Sequence, residues 1–238
     1  MILSMEERYI FDKPKNTKVK CLCVIVVDVS GSMEVHMSAV NEALKSFYSD
    51  ILDERNGVTE STKKQLEIAL IQFDQEYKTL REPCLLKEGE EPPILTTRGS
   101  TTESVKALGE ALDIIENRKR FYDRTGQRFY RPWIIFITDG EPYTEGKSLS
   151  EIQKDVNLLG EKISKLVEKK KLYILGLSVQ GEDERISEDT LRRLTANNYQ
   201  ELKGSDFKRF FSWLSRSVST LVKSRVEDGF TPDSDEFN

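Results

Sequence analysis

Apolar positions along the chain switch repeatedly between two periods. Cys21-Leu22-Cys23-Val24-Ile25-Val26-Val27 is an unbroken apolar, β-branched run ending at Asp28, the pattern of a strand buried on both faces of a parallel sheet. A helical stripe follows, with Met37, Val40, Leu44, Phe47 and Ile51 three or four residues apart. Leu66 to Phe73 predicts the next strand, and Glu76 to Leu80 an antiparallel neighbour. Thr102 to Ile115 predicts a helix with Val105, Leu108, Leu112 and Ile115 on one face, and residues 117–131 a basic, aromatic connector with a glycine turn. Trp133 to Ile137 predicts a third buried strand, stopping at Thr138-Asp139-Gly140. Ser148 and Glu151 form a capping-box pair ahead of Ile152, Val156, Leu159, Ile163 and Leu166 in helical register. Leu172 to Val179 reads as a fourth strand. A short helix near Thr190–Ala196, a short strand near Tyr199–Leu202 and a final helix from Phe207 complete the series. Strands alternating with helices predict an α/β fold of three layers (α/β/α): a doubly wound, mainly parallel central sheet flanked by helices, Rossmann-like in layout.

Composition narrows the picture. The 238 residues suit one such domain, expected over residues 19–226, with residues 1–18 as an N-terminal arm. The net charge of −5 arises from 36 Lys and Arg against 41 Asp and Glu. Glu227 to Asn238 (EDGFTPDSDEFN) contains five carboxylates and no Lys or Arg, so the rest of the chain carries 36 of each sign. This acidic tail, residues 227–238, is expected to stay disordered. A neutral body argues against a dedicated nucleic-acid binder. No apolar run approaches the ~20 residues of a membrane span, and no signal-like start is present. Three cysteines, Cys21, Cys23 and Cys84, form no disulfide framework, and a reducing cytoplasm is the expected location. A single histidine, His36, leaves a Cys/His zinc site or a Ser-His-Asp triad hard to assemble.

Several features read first as ordinary structure. Cys21 and Cys23 share one face of the first strand and are expected to be core thiols. His36 is expected at the surface and Glu141 in an exposed turn. The basic residues from Arg118 to Arg131, with Phe121, Tyr122, Phe129 and Tyr130, are expected to form a solvated loop with a few anchoring aromatics. The aromatic final helix is expected to pack into the core.

In an open parallel sheet, ligands bind beyond the carboxyl ends of the strands at the topological switch point. Two predicted strands end there in an aspartate: Asp28-Val29-Ser30-Gly31-Ser32 follows the first, and Thr138-Asp139-Gly140 the third. Between them Gly99-Ser100-Thr101-Thr102 opens a helix. Asp28, Ser30 and Ser32 alternate with Val29 and Gly31, so three short oxygen-bearing side chains converge on one point. Oxygen donors without His or Cys suit a hard divalent cation, Mg²⁺ first, with Mn²⁺ or Ca²⁺ as alternatives ahead of Zn²⁺. Taken singly, Asp28, Ser30 and Ser32 read equally well as caps on the following helix. Jointly with Thr102 and Asp139 they read as a metal site, occupied or silent.

This constellation resembles the metal-ion-dependent adhesion site (MIDAS) of von Willebrand factor type A (VWA) domains, whose pattern is Asp-x-Ser-x-Ser, then Thr, then Asp. Asp28, Ser30 and Ser32 match the first element, Thr102 rather than Thr101 the second, and Asp139 in Thr-Asp-Gly the third. The resemblance spans roughly residues 18–225. It implies that the two serines and the threonine coordinate the cation directly or through water, with the aspartates coordinating it or holding its waters. A narrower resemblance is to the bacterial TerY-like, tellurium-resistance-associated branch. It is carried by Thr138-Asp139-Gly140-Glu141-Pro142, by Ala107-Leu108-Gly109-Glu110-Ala111-Leu112, and by Phe210-Phe211-Ser212-Trp213-Leu214-Ser215. One departure is the four extra residues between Thr102 and the Ala107-Leu108 helix motif.

The VWA resemblance implies a metal-dependent protein–protein interaction module whose cation takes an Asp or Glu carboxylate of a partner protein, without catalytic residues. The TerY-like resemblance implies a cytoplasmic stress-response setting with kinase- or phosphatase-like partners. The competing readings are a Mg²⁺-dependent phosphohydrolase and a structural scaffold with a silent site. A phosphohydrolase of this layout needs a nucleophilic Asp followed two residues later by an acid, and Ser30 stands there. The sequence holds no P-loop lysine motif, nucleophile elbow or dinucleotide fingerprint.

Overall fold

The structure is a computed structural model and describes residues 18–99, 101–179, 186–203, 206–224 and 231–232. The expected arm, apart from Lys18, and the expected tail, apart from Thr231 and Pro232, lie outside the described residues. In chain order the elements are β1 (Cys21–Asp28), a 3₁₀ turn (Gly31–Met33), α1 (Glu34–Leu52), α2 (Glu60–Lys63), β2 (Leu66–Phe73) and β3 (Tyr77–Leu85). There follow α3 (Ser104–Thr125), β4 (Trp133–Thr138), α4 (Leu149–Glu168), β5 (Tyr173–Val179), α5 (Glu188–Thr195), β6 (Tyr199–Leu202) and α6 (Phe207–Ser224).

The strands form one six-stranded sheet in the order β3-β2-β1-β4-β5-β6. Only β3 is antiparallel to its neighbour; all other pairings are parallel. Alternate residues of β1 feed two separate cores, as the pleat requires. Cys21, Cys23, Ile25 and Val27 face α1 and α6, whereas Leu22, Val24 and Val26 face α3 and α4. This is the three-layer, doubly wound α/β arrangement. The two thiols on β1 are core groups: burial pushes the Cys23 thiol up to about 12 and the Cys21 thiol well above its ordinary value. The aromatic residues of α6 are likewise buried, Phe211 against Phe47 of α1 with ring centroids 5.5 Å apart.

From β1 the chain moves outward to β2 on one side, and from β4 to β5 on the other, so the switch point lies between β1 and β4. Val27 pairs with Ile137 across this join, which brings Asp28 level with Thr138. The carboxyl edge of the sheet at this join is where the helices α1 and α4 depart. Among the described residues no helix is long and apolar enough to cross a membrane.

The short helix α2 was not expected from the pattern, and two expected elements run past their expected ends. The helix expected to end near Ile115 runs to Thr125, stopping where Gly126 takes a left-handed φ of 65°. Its apolar stripe does end at Ile115, but Arg118 and Tyr122 continue the same buried face. They do so because β2 buries Glu67 completely. Glu67 Oε2 accepts from Arg118 Nε at 2.7 Å and from Tyr122 Oη at 2.5 Å, and Oε1 accepts from Arg118 Nη2 at 2.8 Å. Lys20 adds its ammonium group at 3.8 Å. Much of the expected basic, solvated connector is therefore helix, and its first arginine is a core residue. Secondly, β3 runs on to Leu85, past the expected Leu80, although Arg81, Glu82 and Pro83 interrupt its alternation. Arg81 makes this extension work. Its guanidinium donates to the carbonyls of Ile68, Cys84 and Leu85 and pairs with Glu90, which ties down the irregular register between β2 and β3. The capping box of Ser148 and Glu151 forms as expected.

A buried ion pair is costly to break from one side, because the surviving charge is stranded without water. Arg118→Met is therefore expected to cost about 3–5 kcal/mol of unfolding free energy, measured by urea denaturation. Lys165→Ala, which removes a solvent-exposed partner of Glu161, is expected to change stability little by comparison.

Candidate metal centre

The carboxyl end of β1 delivers Asp28 into the switch point with no exposed surface. Its Oδ1 accepts from the Ser30 backbone N–H at 2.9 Å, which turns the chain sharply after the strand. Its Oδ2 accepts from Thr138 Oγ1 at 2.6 Å, across the join from β4. Burial pushes the Asp28 carboxyl up to about 7, against the pull of the Thr138 and Ser30 hydrogen bonds, and the neighbouring Asp139 charge pushes the same way as burial. Asp28 has no Lys or Arg in ion-pair contact among the described residues. The contrast with Glu67, which is surrounded by built-in cations, is direct.

Ser30 and Ser32 follow in the turn. Neither hydroxyl caps the 3₁₀ turn or α1: Ser30 is the N-cap residue of the turn and makes no side-chain cap bond, and the N-cap position of α1 is Met33. The two hydroxyls instead lie 3.2 Å from each other, and Ser32 Oγ donates to Asp139 Oδ1 at 2.9 Å. The capping alternative for the serines is thus not the arrangement found.

Thr102 arrives on the loop between β3 and α3. That loop is fastened to the β1 extension, where Gly31 N donates to Gly99 O at 2.7 Å and Arg98 N donates to Val29 O at 3.3 Å. It is fastened again at the end of β2, where Glu103 N donates to Asp74 O at 2.7 Å. Tyr143 N in turn donates to Thr102 O at 2.9 Å, which ties the loop after β4 to the same residue. The Thr102 hydroxyl lies against Gly140, 3.2 Å from where a Cβ would stand. Any side chain at position 140 would crowd it. Asp28, Ser30, Ser32, Thr102 and Asp139 are accordingly brought to one edge of the sheet from three separate segments of sequence.

Three further residues, which the sequence pattern did not mark as site residues, shape the site. Thr138 holds the Asp28 carboxylate. Asp74 ends β2 as Asp28 ends β1, and its carboxylate packs 3.2 Å from the Cβ position of Gly99. Glu103 is buried, accepting from Thr144 Oγ1 at 3.0 Å and pairing with Lys106 at 2.9 Å. An aspartate directly after a buried apolar run was the available signal for Asp74. Glu103 carried none, since an acid opening a helix is ordinary. Glu141 is an exposed turn residue that accepts from Ser187 N at the start of α5. His36 is half-buried with its ring 6.5 Å from that of Phe207, not simply a surface residue, because α6 packs over the start of α1.

The donors at this edge are hydroxyl and carboxylate oxygens. Among the described residues no group of three or more His, Cys, Asp or Glu is placed to hold a metal, so the three hydroxyls are an essential part of any cation site here. The set fits a hard ion, and a buried carboxylate lacking an internal cation fits a bound one.

No family profile matches the chain, and no curated protein sequence matches it. Solved structures do. Proximal thread matrix protein 1 from the mussel byssus, in a form with a zinc-occupied MIDAS motif, aligns with a TM-score of 0.53 and 14% identity, over 86% of this chain and 49% of that one. The vWF domain of the type V pili tip protein Mfa5 from Porphyromonas gingivalis aligns with a TM-score of 0.54 and 11% identity, over 92% and 100%. A variant of the PilB minor pilin from Streptococcus sanguinis aligns with a TM-score of 0.59 and 10% identity, over 90% and 65%. The chain spans about half the length of the mussel protein. At these identities the likeness establishes the fold, which is that of VWA domains.

Removing the donor to a buried carboxylate leaves it undersolvated. Thr138→Val is expected to lower unfolding free energy by about 1–3 kcal/mol at neutral pH, measured by urea denaturation in the presence of EDTA.

Proposed function

We propose that this chain is a metal-dependent protein-interaction module in which Asp28, Ser30, Ser32, Thr102 and Asp139 hold a divalent cation, Mg²⁺ ahead of Mn²⁺ or Ca²⁺. The observation that carries the reading is the buried, cation-free carboxylate of Asp28 beside Asp139, with serine hydroxyls turned toward that acid and away from the helix they precede. When bound, the cation supplies a concentrated positive charge that two aspartates nearly offset, and a carboxylate from a partner protein gains net attraction to it. The chain's own groups do the rest. Thr138 and the Ser30 amide fix the Asp28 carboxylate, Ser32 orients Asp139, and the Thr102 loop is pinned between β2 and the loop after β4. The zinc-occupied MIDAS of the mussel protein supports a divalent ion at this place in the fold. The oxygen-only donor set favours a harder ion here.

The phosphohydrolase reading is weaker on the same residues. Ser30 occupies the position where that chemistry needs an acid, and its hydroxyl lies beside Ser32. We further assign the module to a cytoplasmic stress-response system with kinase- or phosphatase-like partners, on the strength of the TerY-like motifs around Asp139, Ala107 and Phe210.

Mg²⁺ at a hundred times its dissociation constant is expected to add about 2.7 kcal/mol to stability, read as a rise in melting temperature that EDTA reverses. Ser30→Ala/Ser32→Ala is expected to remove that rise and, in EDTA, to cost about 1–3 kcal/mol through the lost Ser32–Asp139 hydrogen bond. Absence of any Mg²⁺ or Mn²⁺ effect on the native sequence contradicts the proposal. Mg²⁺-dependent phosphate-ester turnover that is lost in Asp28→Ala favours the enzyme instead.

A further inference from the structure

The rim of this edge carries its own chemistry. Val35 is 79% exposed in the first turn of α1, which directly follows the 3₁₀ turn that carries Ser32. Tyr143 is 45% exposed, and its backbone is bonded to Thr102. Two exposed side chains with apolar surface therefore stand on the segments that adjoin Ser32 and Thr102. Arg98 is exposed on the loop bonded to Val29 and makes no ion pair among the described residues. A ligand suited to this rim carries one carboxylate for the cation, another for Arg98, and an apolar side chain beside them.

The chain contains such a segment. Residues 233–238 read Asp-Ser-Asp-Glu-Phe-Asn, and the acidic stretch from Glu227 onward accounts for the whole net charge of −5. Its departure point is fixed at the opposite edge of the sheet. Thr231 Oγ1 accepts from Arg131 Nη2 at 3.1 Å, and Pro232 is buried. Arg131 stands just before β4, whereas the site stands just after it. The sheet from Arg131 to Asp139 is roughly 26 Å long at ~3.3 Å per residue. Six extended residues reach at most about 20–22 Å, before any detour around the flanking helices. Residues 233–238 therefore fall short of the site of their own copy, which leaves them only the site of another copy.

We propose that residues 233–238 of one copy occupy the metal centre of another: Asp235 or Glu236 on the cation, a neighbouring carboxylate on Arg98, and Phe237 against Tyr143 and Val35. This rests on the metal-dependent reading above. The contact is head-to-tail, so it repeats and builds rings or filaments with no dimer as end point. It requires the cation, because without it Asp28, Asp139 and the exposed Glu34 repel an acidic segment.

The test is sedimentation velocity of the full chain, alongside calorimetric titration of Mg²⁺ alone. The chain is expected to form concentration-dependent oligomers in Mg²⁺ and to be monomeric in EDTA. Asp235→Asn/Glu236→Gln/Phe237→Ala is expected to stay monomeric in Mg²⁺ and to bind Mg²⁺ as the native chain does at concentrations too low for association, and Tyr143→Ala to weaken association about tenfold. Mixing that tail variant with Ser32→Ala leaves one productive site and one productive tail, so the mixture is expected to stop at dimers. A chain that binds Mg²⁺ yet stays monomeric overturns this inference and leaves the interaction-module reading standing. Association that survives the tail substitutions or EDTA also overturns it. A chain that binds neither Mg²⁺ nor Mn²⁺ overturns both.

Discussion

The hydrogen bond from Thr138 to Asp28 joins β1 and β4 at the one place where adjacent parallel strands send their connections in opposite directions. A carboxylate buried there needs donors, because desolvation alone raises its proton affinity far above that of a free aspartate. The Thr138 hydroxyl and the Ser30 amide supply two, and in doing so they set the path of the backbone after β1. That path leads Ser30 and Ser32 toward Asp139 and away from capping duty, and it places Gly31 where Gly99 can bond to it. The position of the Thr102 loop therefore follows from how Asp28 is satisfied.

The molecule buries two carboxylates in its sheet and treats them differently. Glu67, low on β2, is neutralised from within by Arg118, with Tyr122 and Lys20 in support. That cluster locks the long helix α3 to the sheet and calls for nothing from outside. Asp28, at the opposite edge, receives only neutral donors. Among the described residues one buried acid is balanced by cations and the other is not, which leaves an electrostatic demand at the carboxyl edge of the sheet. The same fold occurs in a byssal matrix protein and in pilus proteins at 10–14% identity, so the fold does not by itself set a function, and the proposed one rests on the residues at that edge.

Most of the fold was legible because the central strands are buried on both faces. Continuous runs such as residues 21–27 and 133–137 leave no competing reading, and each ends at a polar residue that marks the sheet edge. Legibility failed where polar residues do the work of apolar ones. The stripe of α3 faded at Ile115 because Arg118 and Tyr122, which carry its face onward, are placed by Glu67, some fifty residues earlier in the chain. β3 outlasted its alternation because Arg81 bonds to three carbonyls. At the candidate metal centre the motif residues were visible one by one, yet the parts played by Thr138, Asp74 and Glu103 were not. Their roles exist only once β1, β2 and β4 lie side by side.

The most direct test of a cation at this edge is anomalous diffraction from crystals of the native sequence grown with Mn²⁺. One strong peak enclosed by Asp28, Ser30, Ser32, Thr102 and Asp139 is the expected result. A peak bound elsewhere, or none at saturating Mn²⁺, contradicts the proposed site.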